Sequence, residues 1–527
     1  MKKLFSKVLS TTLLVAMLAT AITGCGGVKD QDADNTKTDN KPKEMVELTV
    51  EVFDRSTPGY QADNNFQTKW IQENFGNPNN IKLKFVPVLR NQEVEKLNVL
   101  MAANQAPDVC FTYNEGLMYN YIKNGGLTEL GDLLEKHGKS LKSYLGETLL
   151  SYGNWGGVQY AVPAKRVMEA CFGTFIRKDW LDKVEMPVPK TTDDFYNVLK
   201  AFKEKDPGKL GDKTIPFTIT VDPNNINWTS HTLLESFKKP ISEEDRYCMR
   251  NWVVPGFKEG IRFMNKLYNE GLLNQQFVLD KDGKQYEKDV AQGKVGAFIQ
   301  SYDFPYRVTP GLANELKKNV PDSDIIPIDP FVNSEGKNIK MKYNPNGLFI
   351  IIPKSSKKAV EAIKYLDWMS KPEVMKFLQN GVKGDQYTDE KDGIPMNIIP
   401  NDKLADDKKA NYIDLSIIVN GKEFGDTDKN IQAASFGYSG YEDKFTEAYK
   451  IALKDAGYMP RFDKVIESEA KYAKALTDKE VQIFVKSITC KPADFDKTYD
   501  SLTDDYMKSG GKEIEEEKRA AFKAMKK

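Results

Sequence analysis

The chain has 527 residues, 40% of them hydrophobic and 11% aromatic, which is enough for two or three domains with proper cores. Lys and Arg number 76 against 76 Asp and Glu, so no basic excess points to a nucleic-acid partner. The cysteines are widely spaced with no CxxC pair, which argues against a zinc or dithiol motif.

The N-terminus reads as an export signal. Lys2, Lys3 and Lys7 precede an uncharged run from Val8 to Thr23 dominated by Leu, Val, Ala and Met. This run falls short of the roughly 20 apolar residues that a membrane span needs. It ends in ITGC (22–25), which resembles a bacterial lipobox. Cys25 is therefore expected to be acylated and to hold the mature chain at the extracytoplasmic face of the cell membrane. Residues 26–46 are almost all polar, a composition that cannot bury a core and reads as a flexible tether. Cys110 and Cys171 sit in apolar surroundings and read as buried free thiols. No segment after the signal is apolar enough to span a bilayer.

The body begins with an alternating strand, ELTVEVF (47–53), then a helical spacing of Phe66, Trp70, Ile71 and Phe75. IKLKFVPV (81–88) alternates again, 92–104 carries one apolar helical face, and DVCFT (108–112) opens a third strand. Strand–helix–strand–helix–strand implies a parallel sheet with right-handed crossovers. Ligands of such sheets bind beyond the carboxyl ends of the strands, which here places Asp54, Arg55, Tyr113, Asn114 and Glu115.

A second αβ region follows. CFGTFI (171–176), IPFTITV (215–221), KVGAFIQ (294–300) and IIPIDPF (325–331) read as strands. TTDD (191–194) is a capping signal ahead of the Phe195, Val198, Leu199 and Phe202 stripe. GLFIIIP (347–353) is a continuous apolar run, as expected of a strand covered on both faces. Helices are predicted at 357–369 and from a capping box at Ser370–Glu373 to Gly381, and the last 90 residues look helical. Trp70, Trp180 and Trp368 fall on helical stripes and are assigned to the core.

Taken in order, several stretches resemble the family-1 extracellular solute-binding proteins, the lipoprotein receptors of ABC sugar importers. They are ITGC, APDV (106–109), GLTEL (126–130), GVQYAVP (157–163), FIRKDWLDKVEMPVPKTTDDFYNVLKAF (175–202), GKVGAF (293–298) and IPKSSKKAVEAIKYLDWMSKPE (352–373). The length and helical C-terminus look most like the subgroup that binds large oligosaccharides. The resemblance implies an α/β, two-lobed, periplasmic-binding-protein-like fold with a ligand cleft between lobes. Residues 47–163 with 347–400 would form lobe 1, and 164–346 with 401–527 lobe 2. GVQYAVP would mark the first crossing. It further implies a monomer, without cofactor, that captures an oligosaccharide or related carbohydrate and hands it to an ABC transporter membrane permease. The family's aromatic residue before Asn-Lys-Asp is replaced by Ile176 and Arg177 here, so Arg177 is a candidate for an anionic group.

A sugar site needs flat rings against C–H faces and planar polar groups against hydroxyls. Trp228 in DPNNINWTSH, Tyr302 in QSYDFPYR, Asn344 and Asn346 in YNPNG, and Tyr438 in ASFGYSGYE lie in polar loops. With Asp54, Arg55, Asn114, Arg166 and Arg177 they form the candidate site; a packing or surface role stands beside each. An enzyme of the glycan-cleaving class is the alternative, and an adhesive surface lipoprotein a third reading. Only His137 and His231 exist; His137 reads as a helix-end residue and His231 lies near Trp228. HExxH, the complete GxSxG and a Walker loop are all missing, so ATP hydrolysis would belong to a partner. DKDG (280–283) and DTDKN (426–430) lack the full calcium-loop pattern, so no metal is expected.

Overall fold

A computed structural model describes residues 44–222, 226, 228–281, 283–307, 311–412 and 414–526. Cys25 and the tether up to Lys43 lie outside the described residues.

The first strand, Val46–Asp54, runs parallel to Ile81–Leu89, in register from Val46↔Ile81 to Asp54↔Leu89. Between them the helix Phe66–Ile71 starts at Asn65, whose side chain accepts from the Thr68 amide while the Thr68 hydroxyl takes the Asn65 N–H. On its other side the first strand meets the third in parallel: Val50 bridges Val109, and Val109 N donates to Thr49 O. The Cys110–Thr112 strand then pairs antiparallel with Asn346–Ile351, which pairs antiparallel with Val162–Arg166. Val419–Asn420 closes this sheet in parallel with Val162–Arg166. The expected parallel start is present, and GLFIIIP is a central, buried strand. Register thus brings Asp54, Tyr113, Asn346, Arg166 and Asn420 to one edge of the first sheet.

The second sheet has the order Ile325–Ile328, Phe172–Arg177, Val295–Ser301, Ile215–Ile219. Phe172 pairs with Ser301, so the ends of the 215–219 and 295–301 strands share an edge with the start of Phe172–Arg177. The chain passes between sheets three times, at 167–171, 342–345 and after Asn420. Tyr343 N donates to Glu169 O, Arg166 N to Pro345 O and Val167 N to Asn420 O, lacing the three passages together. GVQYAVP leads into the Val162–Arg166 strand, one strand ahead of the first passage.

Each sheet has its own core. The first gathers Leu48, Val52, Phe53, Ile350 and Leu366. The second gathers Ile176, Trp180, Phe202, Phe217 and Ile299. Each such fully buried side chain contributes about 1.5–3 kcal/mol. Leu415, Ile417 and Ile418, beyond the 400 boundary drawn from the sequence, bury in the first core because Val419–Asn420 belongs to that sheet. The helices Glu467–Thr489, Phe495–Tyr506 and Lys512–Met525 pack on the second core. Asn265 anchors them by donating to Ser487 O and Ile488 O, and Arg250 Nε donates to the Tyr506 hydroxyl.

Local differences have simple causes. Trp180 is fully buried, whereas Trp70 stacks on Phe377 and tilts against Trp368 on a half-buried face packed on the first core. The Ser370 capping box does not form: Lys371 is the N-cap, Pro372 opens the helix Pro372–Asn380, and the Ser370 hydroxyl donates to Asp367 O. Asp426 caps the helix Thr427–Ser435, which explains DTDKN as a helix start. Among the described residues no helix is long and apolar enough to cross a membrane.

Candidate functional site

The two sheet edges converge on the three passages. Tyr343, on the second passage, carries the Arg166 guanidinium 4.7 Å from its ring centroid and lies 6.2 Å from Trp228. Trp228 sits beyond the 215–219 strand, half-buried, edge-on to Phe172 at 5.4 Å. Burial pushes the Tyr343 phenol up to about 12, with the nearby Cys171 adding to the shift. Arg166 donates through Nε to Asn344 O and Asn346 O and through Nη2 to Gly347 O. The side-chain oxygens of Asn344 and Asn346 are buried without a hydrogen-bond partner among the described residues. Such acceptors are costly unless a donor arrives, and sugar hydroxyls are donors.

On the first edge, Tyr113 is stacked over Phe53 and faces the Arg90 guanidinium at 4.5 Å. The buried Glu93 holds this arrangement: it pairs with Arg90 and accepts from Tyr113 N and the Thr112 hydroxyl. Asn420 donates to the Tyr113 hydroxyl at 3.1 Å. A groove of about 720 Å³ runs along Arg90, Tyr113, Asn114 and Glu115. A second hollow of about 670 Å³ shares Asn114 and Glu115 and continues to Asn344 and Arg461. Arg461 donates to Glu115 at 2.9 Å and lies 5.1 Å over the Trp155 ring.

The sequence-predicted residues divide. Asp54, Arg55, Asn114, Arg166 and Asn346 all lie on the first-sheet edge, and Trp228 lies 6.2 Å from Tyr343 of the second passage. Arg55 is bound in two-point fashion to the buried Asp414, at 2.6 and 2.8 Å, so its charge is already neutralised. Asp54 accepts from Ser56 N, and Asn114 caps the helix Glu115–Lys123 by accepting from Leu117 N. Tyr302 is a core residue, 8% exposed and packed on Phe445 and Tyr449. Tyr438 donates to Asp303 at 2.7 Å while stacking on Phe445. Burial alone would raise the Asp303 carboxyl, but Arg307, Tyr438 and Ser301 outweigh it and hold it below its ordinary range.

Arg177 stands apart. It is 1% exposed and forks onto Asp179 at 2.7 Å through both Nε and Nη2, while Nη1 donates to Gly293 O. It lies at the far end of its strand, five residues from Phe172, or about 16 Å. The expectation that it meets an anionic ligand group fails on both counts: its charge is compensated and it is remote from the passages. His137 ends the helix Gly131–His137, as expected, and His231 contacts Glu235 at 3.1 Å.

Sequence reasoning did not single out Tyr343, Asn420 or Arg461. Tyr343 directly precedes Asn344 in YNPNG, and Asn420 precedes Gly421, a turn dipeptide that marked a chain reversal. Tyr113 was placed at a strand end but not chosen.

The model of the family described as bacterial extracellular solute-binding protein matches residues 61–376. Lipoprotein LipO of Bacillus subtilis is 25% identical, covering 98% of each chain. The polygalacturonan/rhamnogalacturonan-binding protein YtcQ of the same organism is 22% identical over 98% of each chain. The solved structure of an HMO binding, ABC-transporter-associated solute-binding protein from Bifidobacterium longum infantis superposes with a TM-score of 0.67 at 17% identity. That match covers 91% of this chain and 99% of the other. Two α/β lobes, each with its own core, stand joined by three laced passages under facing aromatic and amide side chains, and the matched model spans most of them. The chain belongs to the bacterial extracellular solute-binding proteins.

Proposed function

We propose that the protein is a lipid-anchored receptor that captures an oligosaccharide and delivers it to an ABC importer permease. The observation that carries this is the convergence of Tyr343, Trp228 and the unpartnered Asn344 and Asn346 oxygens where the two sheet edges meet. Rings cover sugar C–H faces, and planar amides take hydroxyls. The carbohydrate-binding names of YtcQ and the Bifidobacterium protein support a sugar as cargo.

Lobe 1 comprises 47–166 with 346 to about 420, and lobe 2 the remainder of the body. Three short passages between two stiff sheets make a hinge. The ligand touches both edges only when they are together, so its binding energy shifts the population to the closed form. The closed monomer docks on the permease and releases its cargo. Cys25 holds the chain to the extracytoplasmic membrane face; the name LipO of a full-length relative fits that anchoring. The site needs no cofactor and performs no bond cleavage.

The test is a thermal-shift panel of oligosaccharides with the purified chain, each sugar afterwards chromatographed. A raised melting temperature with intact sugar supports capture. Accumulating fragments overturn it in favour of a glycan-cleaving enzyme, and silence across the panel in favour of an adhesive lipoprotein. Cys25→Ser should move the chain from the membrane fraction to the medium.

A further inference from the structure

Most cations along the first-sheet edge are already matched by a carboxylate. Arg55 has Asp414, Arg90 has Glu93, and Lys165 has Glu423. Arg166 is different. Among the described residues it pairs with no carboxylate; its bonds go to three backbone carbonyls, and it rests on the Tyr343 ring. Burial dominates its electrostatics and lowers its pKa, because the surrounding tyrosines and the more distant Glu169 compensate only in part. Arg166 is half-buried, and a charge partly withdrawn from water without a counter-ion is costly unless a ligand supplies the opposite charge.

Lys422 repeats the pattern. It lies two residues past Asn420, the register partner of Arg166. Its ammonium sits 5.1 Å over the Tyr412 ring, and among the described residues no acid meets it. Burial pushes its pKa down to about 8. The Tyr412 hydroxyl is also buried without a partner. Asp54, at the end of the first strand, stands three strands from Arg166, or about 14 Å across the sheet. The Val162–Arg166 and Val419–Asn420 side of the edge therefore carries two cations that meet no carboxylate among the described residues, Arg166 on the Tyr343 ring and Lys422 on the Tyr412 ring.

We propose that the site takes an acidic oligosaccharide, with a sugar carboxylate docking on Arg166 and Lys422 supplying a second positive charge. The inference rests on the capture reading above and narrows its substrate class. The free Nη1 of Arg166 is the donor left for a carboxylate oxygen, while Tyr343 and Trp228 take the ring faces. Arg177, the cation that the sequence put forward for this task, is replaced by a cation that pairs with no carboxylate among the described residues.

The test is calorimetric titration of the full chain with galacturonate, mannuronate and glucuronate trisaccharides and their methyl esters, which keep the shape and remove the charge. At least one acid should bind on the order of tenfold or more tighter than its ester, with affinity falling as salt rises. Arg166→Gln and Lys422→Met should each weaken the acid by about tenfold, and Lys422→Met should leave the ester within about twofold. Lys422 lies in the third passage, but its side chain rests on Tyr412 and makes none of the bonds that lace the passages together, so Lys422→Met keeps the test valid if Arg166→Gln loosens them. Equal binding of acid and ester, or no uronate binding at all, overturns the acidic class. Neutral sugars still binding in the thermal panel would then leave the capture reading standing, whereas silence there removes both.

Discussion

The guanidinium of Arg166 lies 4.7 Å above the ring of Tyr343, one residue at the end of a first-lobe strand and the other in the passage between lobes. The same side chain donates to the carbonyls of Asn344, Asn346 and Gly347, so it grips the second passage along its length. The capture proposed above therefore puts ligand contact and passage geometry on one residue, so that a ligand drawing on Arg166 would act on a segment that joins the lobes.

Trp228 and Tyr302 should separate by phenotype. Trp228→Ala is expected to weaken sugar binding by about tenfold or more, as for a half-buried aromatic anchor, with a loss of only a few degrees in melting temperature from its Phe172 contact. Tyr302→Ala empties a site between Phe445 and Tyr449 and should cost about 3–5 kcal/mol of stability while leaving affinity unchanged. Titration and denaturant melts of both variants check this; the reverse assignment would refute it.

Arg177→Met should be a stability variant only. It removes the two-point pairing with Asp179, whose side chain is 9% exposed, and leaves that carboxylate with Lys183 at 3.8 Å and the Asp324 N–H, a change worth up to about 3 kcal/mol. Chemical denaturation should show that loss, and titration at a temperature where the variant remains folded should return the parental affinity.

Glu51 makes stability depend on pH. Burial above all, with the neighbouring Glu93 charge adding to it, raises its pKa from 4.5 to about 8, against an opposing bond from Phe111 N. The folded chain thus keeps a proton that the unfolded chain releases above 4.5. Its stabilising effect is complete below that pH and is lost as pH rises toward 8, by at most a few kcal/mol. Glu51→Gln keeps an acceptor for Phe111 N and should flatten that part of the stability–pH curve; an unaltered slope in urea melts between pH 5 and 8 would count against a protonated Glu51.

Gly421 sits in the third passage with φ of +116°, and a Cβ there would come within 2.9 Å of the Val167 Cβ. Gly421→Ala should strain the hinge by about 1–3 kcal/mol. Small-angle scattering should show the parent contracting on ligand addition and the variant contracting less, with weaker binding. Equal contraction would mean the passage does not flex at this residue.

Local chemistry made much of the fold legible. Alternation in 47–53 and 81–88, the Thr191 cap, and the apolar run at 347–353 each depend on neighbours within one element, and each element formed within a residue or two of its expected limits. The strand-end rule likewise located Asp54, Tyr113 and Asn114. Charge compensation was not legible in this way. Arg177 has its partner two residues away and Arg55 has one 359 residues away, while Arg166 has none among the described residues.

The sequence by itself determined the export signal pattern, the two αβ regions and the aromatic and amide stock from which a sugar site is built, because composition and periodicity are properties of short stretches. Only the tertiary structure decided which of those side chains meet. Register set Asn346 and Asn420 beside the Val162–Arg166 strand, the return of 415–420 to the first core added a third passage, and packing buried Tyr302 while leaving Trp228 half-open. Strand register and long-range burial depend on residues hundreds of positions apart, and no local pattern carries that information.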